Sequence, residues 1–134
     1  MIIQLLACLL LITSGDNTLE VKIQGIKEPK GMVRLAFYNS EEEYLDEEKI
    51  AFFHEELVIQ TGEMTILIQL PKGDYSVAIY QDLNNDKELN TNLVGIPKEP
   101  YGFSNNVMGA FGPPSFEAAK VQFPTTNKIT IYLR

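Results

Sequence analysis

The chain has 134 residues, a formal net charge of −7 and a single cysteine. This length has room for one domain, and one cysteine excludes an internal disulfide framework. An acidic chain without a basic cluster is a poor partner for nucleic acid or anionic lipid. The composition is compatible with a cation, a neutral glycan or a basic protein surface as the ligand.

The first fifteen residues differ from the rest of the chain. Residues 2–12 are apolar except for Gln4, and Thr13, Ser14 and Gly15 are small residues suited to cleavage. This pattern is typical of a secretory signal peptide and is too short to span a bilayer. We therefore expect a signal peptide at residues 1–15 and an exported protein, periplasmic or extracellular, without a transmembrane span. The alternative is a buried N-terminal strand or helix.

Cys8 follows Leu5-Leu6-Ala7 and loosely resembles the cleavage box of a lipoprotein. Leu6 is bulky for that box, and the residues after Cys8 stay apolar. We therefore favour a small hydrophobic residue inside the signal over a lipid anchor.

Alternation of apolar and polar residues predicts strands over much of residues 16–134, which we expect to form one domain. The first strand contains Leu19, Val21 and Ile23, and we expect residues 31–39 to pair with it as a hairpin. Further strands are predicted at residues 57–60, 63–70, 75–81, 121–123 and 128–134. About seven short strands separated by turns predict an all-β fold, an antiparallel β-sandwich.

Two segments interrupt the strand pattern. Ser40 followed by Glu43 resembles a capping box and predicts a short helix through Tyr44 and Glu48. Residues 81–120 have little periodicity but carry apolar anchors, so we expect a long structured loop. Ser115, after two prolines, predicts the cap of a second short helix within that loop.

The stretch from Asp82 to Asn90 has the spacing of a calcium loop. Hard cations take oxygens at positions one, three, five, seven and nine of such a loop. These positions are occupied by Asp82, Asn84, Asp86, the Glu88 carbonyl and Asn90.

Two positions depart from this pattern. Lys87 replaces the usual glycine and Leu93 replaces the closing Glu, for which Glu99 is a candidate. We expect weak binding, on the order of 10⁻⁴ to 10⁻³ M. The alternative is a loop of Asx turns that binds no ion.

No pair of nucleophile and base is apparent in the sequence. His54 is the only histidine and cannot form a zinc cluster. Ser104 lacks the second glycine of a nucleophile elbow. The acidic run at residues 41–48 is typical of a solvated face. We expect no catalysis; the alternative is an enzyme that processes envelope glycans or peptides with Glu99 or the acids of that run.

Three segments of the chain resemble a bacterial family known as domain of unknown function 2141. The family pattern is Asp-x-Asn-x-Asn/Asp-Gly-x-Leu-Asp, then Gly-Ile-Pro-Lys-Glu-x-Tyr-Gly-Phe-Ser-Asn-Asn, then Pro-x-Phe-Glu-x-Ala. Residues 82–90, 95–106 and 114–119 match it, with Lys87 and Asn90 in place of the usual Gly and Asp. The resemblance implies an exported sandwich, transthyretin-like or immunoglobulin-like. It implies no established activity.

Together these features predict a non-catalytic binding or accessory module for an unknown envelope protein or small ligand. The binding face is expected on the loop after the calcium motif, at Pro97, Lys98, Glu99, Tyr101, Phe103, Asn105 and Asn106. A purely structural component of an envelope assembly is the remaining alternative. That alternative predicts an exposed apolar patch or an open sheet edge.

Overall fold

The computed structural model describes residues 17–134, which form two β-sheets around one apolar core. The strands are β1 (Thr18–Ile26), β2 (Met32–Tyr38), β3 (Phe52–Leu57), β4 (Gly62–Gln69), β5 (Gly73–Asp82), β6 (Tyr101–Phe103), β7 (Lys120–Phe123) and β8 (Lys128–Tyr132). The predicted all-β sandwich is confirmed. The predicted signal peptide lies outside the described residues.

The smaller sheet has the strand order β4-β1-β8, and the larger has the order β3-β2-β5-β6 with β7 also paired to β5. Adjacent strands are antiparallel except for β1 and β8, which are parallel. The predicted hairpin between the first two strands is wrong, because they belong to different sheets. Both edges of β1 are already occupied by β4 and β8, and Gly25 and Gly31 adopt positive φ where the chain crosses over.

Two further predictions between residues 40 and 60 need correction. The strand predicted at residues 57–60 is instead β3, which contains the apolar pair Phe52 and Phe53. The helix predicted after Ser40 is reduced to turns and a 3₁₀ segment, Glu47–Lys49. Leu45 has a φ of 64°, which interrupts a right-handed helix, and Asp46 caps the 3₁₀ segment in place of Ser40.

The core follows the predicted alternation. Val33, Leu35 and Phe37 of β2 are fully buried between the two sheets, as are Val21 and Ile23 of β1. The alternate residues of β2 and β5 point to the opposite face of the larger sheet. That outer face is covered at its two ends by different segments.

One end of the outer face carries a small aromatic cluster. Tyr44 packs edge-on against Tyr38 and Phe116, with ring centroids 5.6 and 5.8 Å apart. Phe116 begins the single helical turn α1 (Phe116–Ala119), and the predicted cap is present because Ser115 Oγ accepts from the Ala118 amide at 3.1 Å. The other end is covered by the loop that begins at Asp82.

Within residues 17–134, no helix is long and apolar enough to cross a membrane.

Gly31 is where the connection from β1 meets the end of β5. Its φ is +71°, and a Cβ there would lie 2.1 Å from the Asp82 carbonyl oxygen. Gly62 has a similar φ, +92°, but a Cβ there would meet nothing within 4 Å.

We predict that Gly31→Ala lowers the free energy of unfolding by about 1–3 kcal/mol more than Gly62→Ala does. Both variants share the backbone strain of a left-handed alanine, and only the first adds a clash with rigid backbone. Chemical denaturation of the two variants measures the difference. Equal destabilisation of the two variants would show that the backbone at Asp82 can move away from the added Cβ, so that no clash remains.

Candidate functional site

Asp82 ends β5 on the outer face and is the centre of a buried polar network. Its side chain is fully buried, and its Oδ2 accepts from Arg34 Nε at 2.8 Å. Arg34, on β2, is also buried, and its two remaining nitrogens donate to Glu55 on β3 and to Asn85 Oδ1. One guanidinium thus joins β2, β3, β5 and the loop after β5.

The carboxylates around Arg34 favour its charged form. Burial of the guanidinium lowers its pKa, but the hydrogen bonds to Asp82 and Glu55 and the charges of both carboxylates raise it by more. Tyr80, which lies opposite Arg34 in the β2–β5 pairing, has its pKa raised to about 12, chiefly by burial and further by the Asp82 charge. Tyr80 therefore stays neutral, and Arg34 is the cation of this network.

The backbone after Asp82 wraps around its carboxylate. The amides of Asp86 and Lys87 donate to Asp82 Oδ1 and Oδ2 at 3.2 and 2.7 Å. Lys87 has a φ of 65°, the left-handed conformation that the calcium pattern normally assigns to glycine. The lysine therefore does not prevent the sharp turn, although the conformation is strained for a residue with a side chain.

Asp86 is held as a carboxylate. Its Oδ1 accepts from the Glu88 amide at 3.0 Å, and its Oδ2 accepts from the side-chain amides of Asn90 and Asn84 at 2.8 and 3.1 Å. These bonds, the one from Glu88 first, lower the pKa of Asp86.

Glu99 reaches the same place from the far end of the loop. It is 6% exposed, and its two oxygens accept from the amides of Leu83 and Asn90 at 2.7 and 3.0 Å. Carboxylate oxygens of Asp82, Asp86 and Glu99 all lie within 4.8 Å of one another. The structure thus brings the candidate closing residue next to two of the predicted ligands.

Asn90 contains a buried polar atom whose hydrogen-bonding capacity is not satisfied by residues 17–134. Its Oδ1 is buried and has no hydrogen-bond donor within the described part of the chain, while its Nδ2 is bonded to Asp86. The Asn84 Oδ1 accepts only a long bond, 3.4 Å, from the Asp86 amide. Two amide oxygens and three carboxylates are the kind of donor set that a hard cation takes, so these residues fit calcium. Arg34 competes for one of the carboxylates.

The predicted binding-face residues occupy several environments. Lys98 is exposed, Pro97 and Tyr101 are half-buried, and Glu99 and Phe103 are buried. Tyr101 and Phe103 belong to β6, a strand that the sequence pattern does not predict. Their rings pack edge-on with centroids 6.3 Å apart.

The segment Ser104-Asn105-Asn106 bonds to the protein's own backbone. Ser104 Oγ accepts from the Val77 amide at 2.9 Å, filling the gap on β5 between the residues paired with β6 and those paired with β7. Asn105 Nδ2 donates to the carbonyls on either side of Ala119. Asn106 donates to the Thr130 carbonyl at 3.0 Å and accepts from the Tyr132 amide at 2.8 Å, which completes the outer edge of β8.

Residues 91–97 form a tight projection, of which only Pro97 belongs to the predicted binding face. Asn92 Oδ1 accepts from the amides of Val94 and Ile96, both at 3.0 Å, and Thr91 bridges to Pro97. The turn exposes three aliphatic side chains: Leu93 at 107%, Val94 at 78% and Ile96 at 58% of their full areas. Its signal in the sequence was an apolar run inside an otherwise polar loop.

Of the residues considered for catalysis, Glu99 lies in the carboxylate cluster and the others lie elsewhere. In the acidic run, Glu41, Glu42, Asp46, Glu47 and Glu48 are exposed and Glu43 is half-buried. His54 lies on β3 and bonds to Glu56 on the same strand at 2.7 Å.

The sequence pattern does not identify Arg34 and Glu55 as residues of the site. Its only indication is the single charge of Arg34 between the apolar residues Val33 and Leu35.

We predict that Arg34→Met lowers the free energy of unfolding by about 3–5 kcal/mol, because it leaves the Asp82 carboxylate buried without its cation. Glu55→Gln, which removes the exposed partner of the same arginine, should cost less than about 1 kcal/mol. Both are measured by denaturation in the presence of a chelator. Similar losses for the two variants would contradict the central place given to the Arg34–Asp82 pair.

We predict that Ser104→Ala lowers the free energy of unfolding by about 1–3 kcal/mol, because the buried Val77 amide loses its acceptor. Ser115→Ala removes a hydroxyl bond of similar length from an exposed helix start, where water can replace it, so at most about 1 kcal/mol is expected. Thermal unfolding of the two variants makes the comparison. A larger effect at Ser115 would refute this account of Ser104.

Comparison with protein families identifies the family to which the chain belongs. The model of a family described as "Uncharacterized protein conserved in bacteria (DUF2141)" matches residues 21–131. No curated protein and no solved structure matches the chain. The matched range includes β2 through β7, the Asp82 loop and the Ser104–Asn106 segment. The chain therefore belongs to this uncharacterised bacterial family.

Proposed function

We propose that this protein is a non-catalytic accessory module, exported to the periplasm or the cell surface, that binds a partner with a loop organised by calcium. The observation that carries the proposal is the convergence of Asp82, Asp86 and Glu99 beside the unpartnered Asn90 oxygen. A cation at this point would be held by side chains from both ends of the Asp82–Glu99 segment.

Electrostatics supports a cation here. Glu99 is nearly fully buried, and no ion pair among residues 17–134 includes it or Asp86. Arg34, the one cation that residues 17–134 place in the cluster, is shared between Asp82 and Glu55. Buried carboxylates without a matching charge are unfavourable, and a divalent ion relieves that cost.

The partner surface that fits this arrangement is the apolar turn at Leu93, Val94 and Ile96. The turn lies inside the segment that Asp82 and Glu99 close, so a bound ion would hold both of its ends. Exposed aliphatic clusters of this kind are typical of interaction sites. An envelope protein or a small apolar ligand is the partner class that we propose.

Export is part of the proposal and agrees with weak affinity. Extracellular modules bind calcium with dissociation constants of about 10⁻⁴ to 10⁻³ M. A chelating loop of this kind has a use where calcium is abundant, and the apolar start of the chain supports that location.

We predict that about 10 mM calcium stabilises the purified protein by roughly 1.4–2.7 kcal/mol, as mass action requires for this range of affinity. Asp86→Asn should abolish the response, because it removes a carboxylate ligand. Glu88→Gln should retain it, because the loop uses the Glu88 carbonyl and not its side chain.

Melting temperature and isothermal titration calorimetry measure the response. The two variants remove one negative charge each from the same loop, so a general charge effect would change both equally. Absence of any heat or shift in the unaltered protein would eliminate the ion and leave the apolar turn as a separate binding surface.

A second candidate function is a structural component of an envelope assembly. It is favoured by the exposed strand β3, which lies at one edge of the larger sheet and, among residues 17–134, pairs only with β2. Open edges pair readily with other chains.

A further inference from the structure

β3 is the open edge of the larger sheet. Five of its six residues are exposed, and it has one strand neighbour, β2, within the described chain. Phe53 and Leu57 are 54% and 60% exposed. A strand in this position is a template for pairing with a further strand.

The edges at β6 and β8 are blocked, whereas β3 and β4 each have one strand neighbour among residues 17–134. β3 lacks the usual protections of an edge strand. Asn106 bonds to the outer edge of β8, and Tyr101 exchanges backbone bonds with Arg134 just beyond it. β3 contains no proline or lysine, and its pairing with β2 is regular from Phe52 to Leu57. Its two acidic side chains form hydrogen bonds within the protein, Glu55 with Arg34 and Glu56 with His54.

The alternation of hydrogen bonds between β2 and β3 determines which backbone groups of β3 point away from β2. The Val58 amide donates to the Gly31 carbonyl at 3.0 Å, directly after the paired residues Leu57 and Met32. Backbone groups alternate in direction along an antiparallel strand. Phe53, Glu55 and Leu57 therefore direct their N–H and C=O groups away from β2, toward the open side.

We propose that β3 binds a second copy of this chain, antiparallel and related by a two-fold axis through Glu55. A two-fold axis perpendicular to the sheet leaves each face of the sheet on the same side in both copies. The sequence numbers of paired residues therefore differ by an even number. In this register Phe53 of each copy opposes Leu57 of the other, and His54 opposes Glu56. The free groups of Phe53, Glu55 and Leu57 would then all be bonded across the interface.

The neighbouring register fits worse. An axis through His54 would place Phe53 opposite Glu55 and His54 opposite itself, so it matches neither the apolar nor the charged residues. In the proposed register the only like-charged pair is Glu55 with Glu55, and each of these carboxylates already accepts from its own Arg34. Two antiparallel copies of β3 are therefore complementary to each other in this register.

This inference is independent of calcium binding and uses a different part of the molecule. The net charge of −7 opposes association at a distance, and salt screens that repulsion. We therefore expect the dimer to strengthen from low to physiological salt.

The first test is sedimentation of the protein purified from cells, over about 1–500 μM. We expect a reversible dimer, and Leu57→Lys should raise its dissociation constant at least about ten-fold, because the two-fold axis applies the change twice. Ile59→Lys adds the same charge at a position that is 77% exposed but lies beyond the strand, and it should change the constant less than about two-fold. A monomer throughout this range, or equal effects of the two variants, would overturn the proposal.

The second test reads the register. Chains carrying Cys8→Ser with either Phe53→Cys or Leu57→Cys are mixed and oxidised. Opposed residues of the ladder lie within disulfide reach, whereas two Phe53 positions lie several residues apart. We expect mixed disulfides to exceed the homodimers at least about ten-fold. A statistical mixture, an excess of homodimers, or cross-linking only to a different envelope protein would reject the second copy as the occupant.

Discussion

The ion pair between Arg34 and Asp82 is the interaction on which the loop end of the sandwich depends. Asp82 is fully buried, and a buried carboxylate is tolerated only with a counter-charge and hydrogen bonds for its remaining lone pairs. Arg34 supplies the charge, and the amides of Asp86 and Lys87 supply the bonds. Because the same guanidinium also reaches Glu55 and Asn85, the position of the loop is tied to the position of β3. The calcium proposal and the dimer proposal thus use two carboxylates, Asp82 and Glu55, that one side chain orients.

Edge protection explains what the polar side chains of the Ser104–Asn106 block do. These residues would be an unusual choice for a ligand surface, since their polar atoms bond to Val77, to the carbonyls beside Ala119, and to β8. The positive φ of Asn105 and Asn106 turns the chain so that both side chains can reach backbone. Asparagine tolerates that conformation better than most residues. The side chains of this block therefore substitute for missing ladder bonds, and no such substitute bonds to the outer edge of β3 within residues 17–134.

The sequence predicts those parts of the fold that depend on local alternation. The strands that became β1, β2, β4, β5, β7 and β8 were recognisable because apolar residues recur at every second position. Pairing was not recognisable in the same way: β1 combines with β4 and β8 rather than with β2, and that choice depends on contacts far apart in sequence. β6 has three residues and too short a pattern, and β3 has both faces largely exposed, so neither shows clear alternation. For the site, oxygen spacing identified Asp82, Asn84, Asp86 and Asn90, but Arg34 is 48 residues from Asp82 and no local pattern connects them.

Arg34 also limits what an ion can do in this loop. In a loop organised by metal alone, the carboxylates repel one another until the cation arrives, and binding is coupled to folding. Here Asp82 already has a cation, and the amides of Leu83, Asp86, Lys87 and Asn90 already bond to Asp82 or Glu99. The loop is therefore ordered by protein contacts, and calcium would add a stabilisation of roughly 1.4–2.7 kcal/mol to a fold that typically has about 5–15 kcal/mol. An ion of that strength would join Glu99 to Asp86 across the base of the apolar turn at Leu93–Ile96. It would adjust how firmly the turn is held and would not decide whether the domain folds.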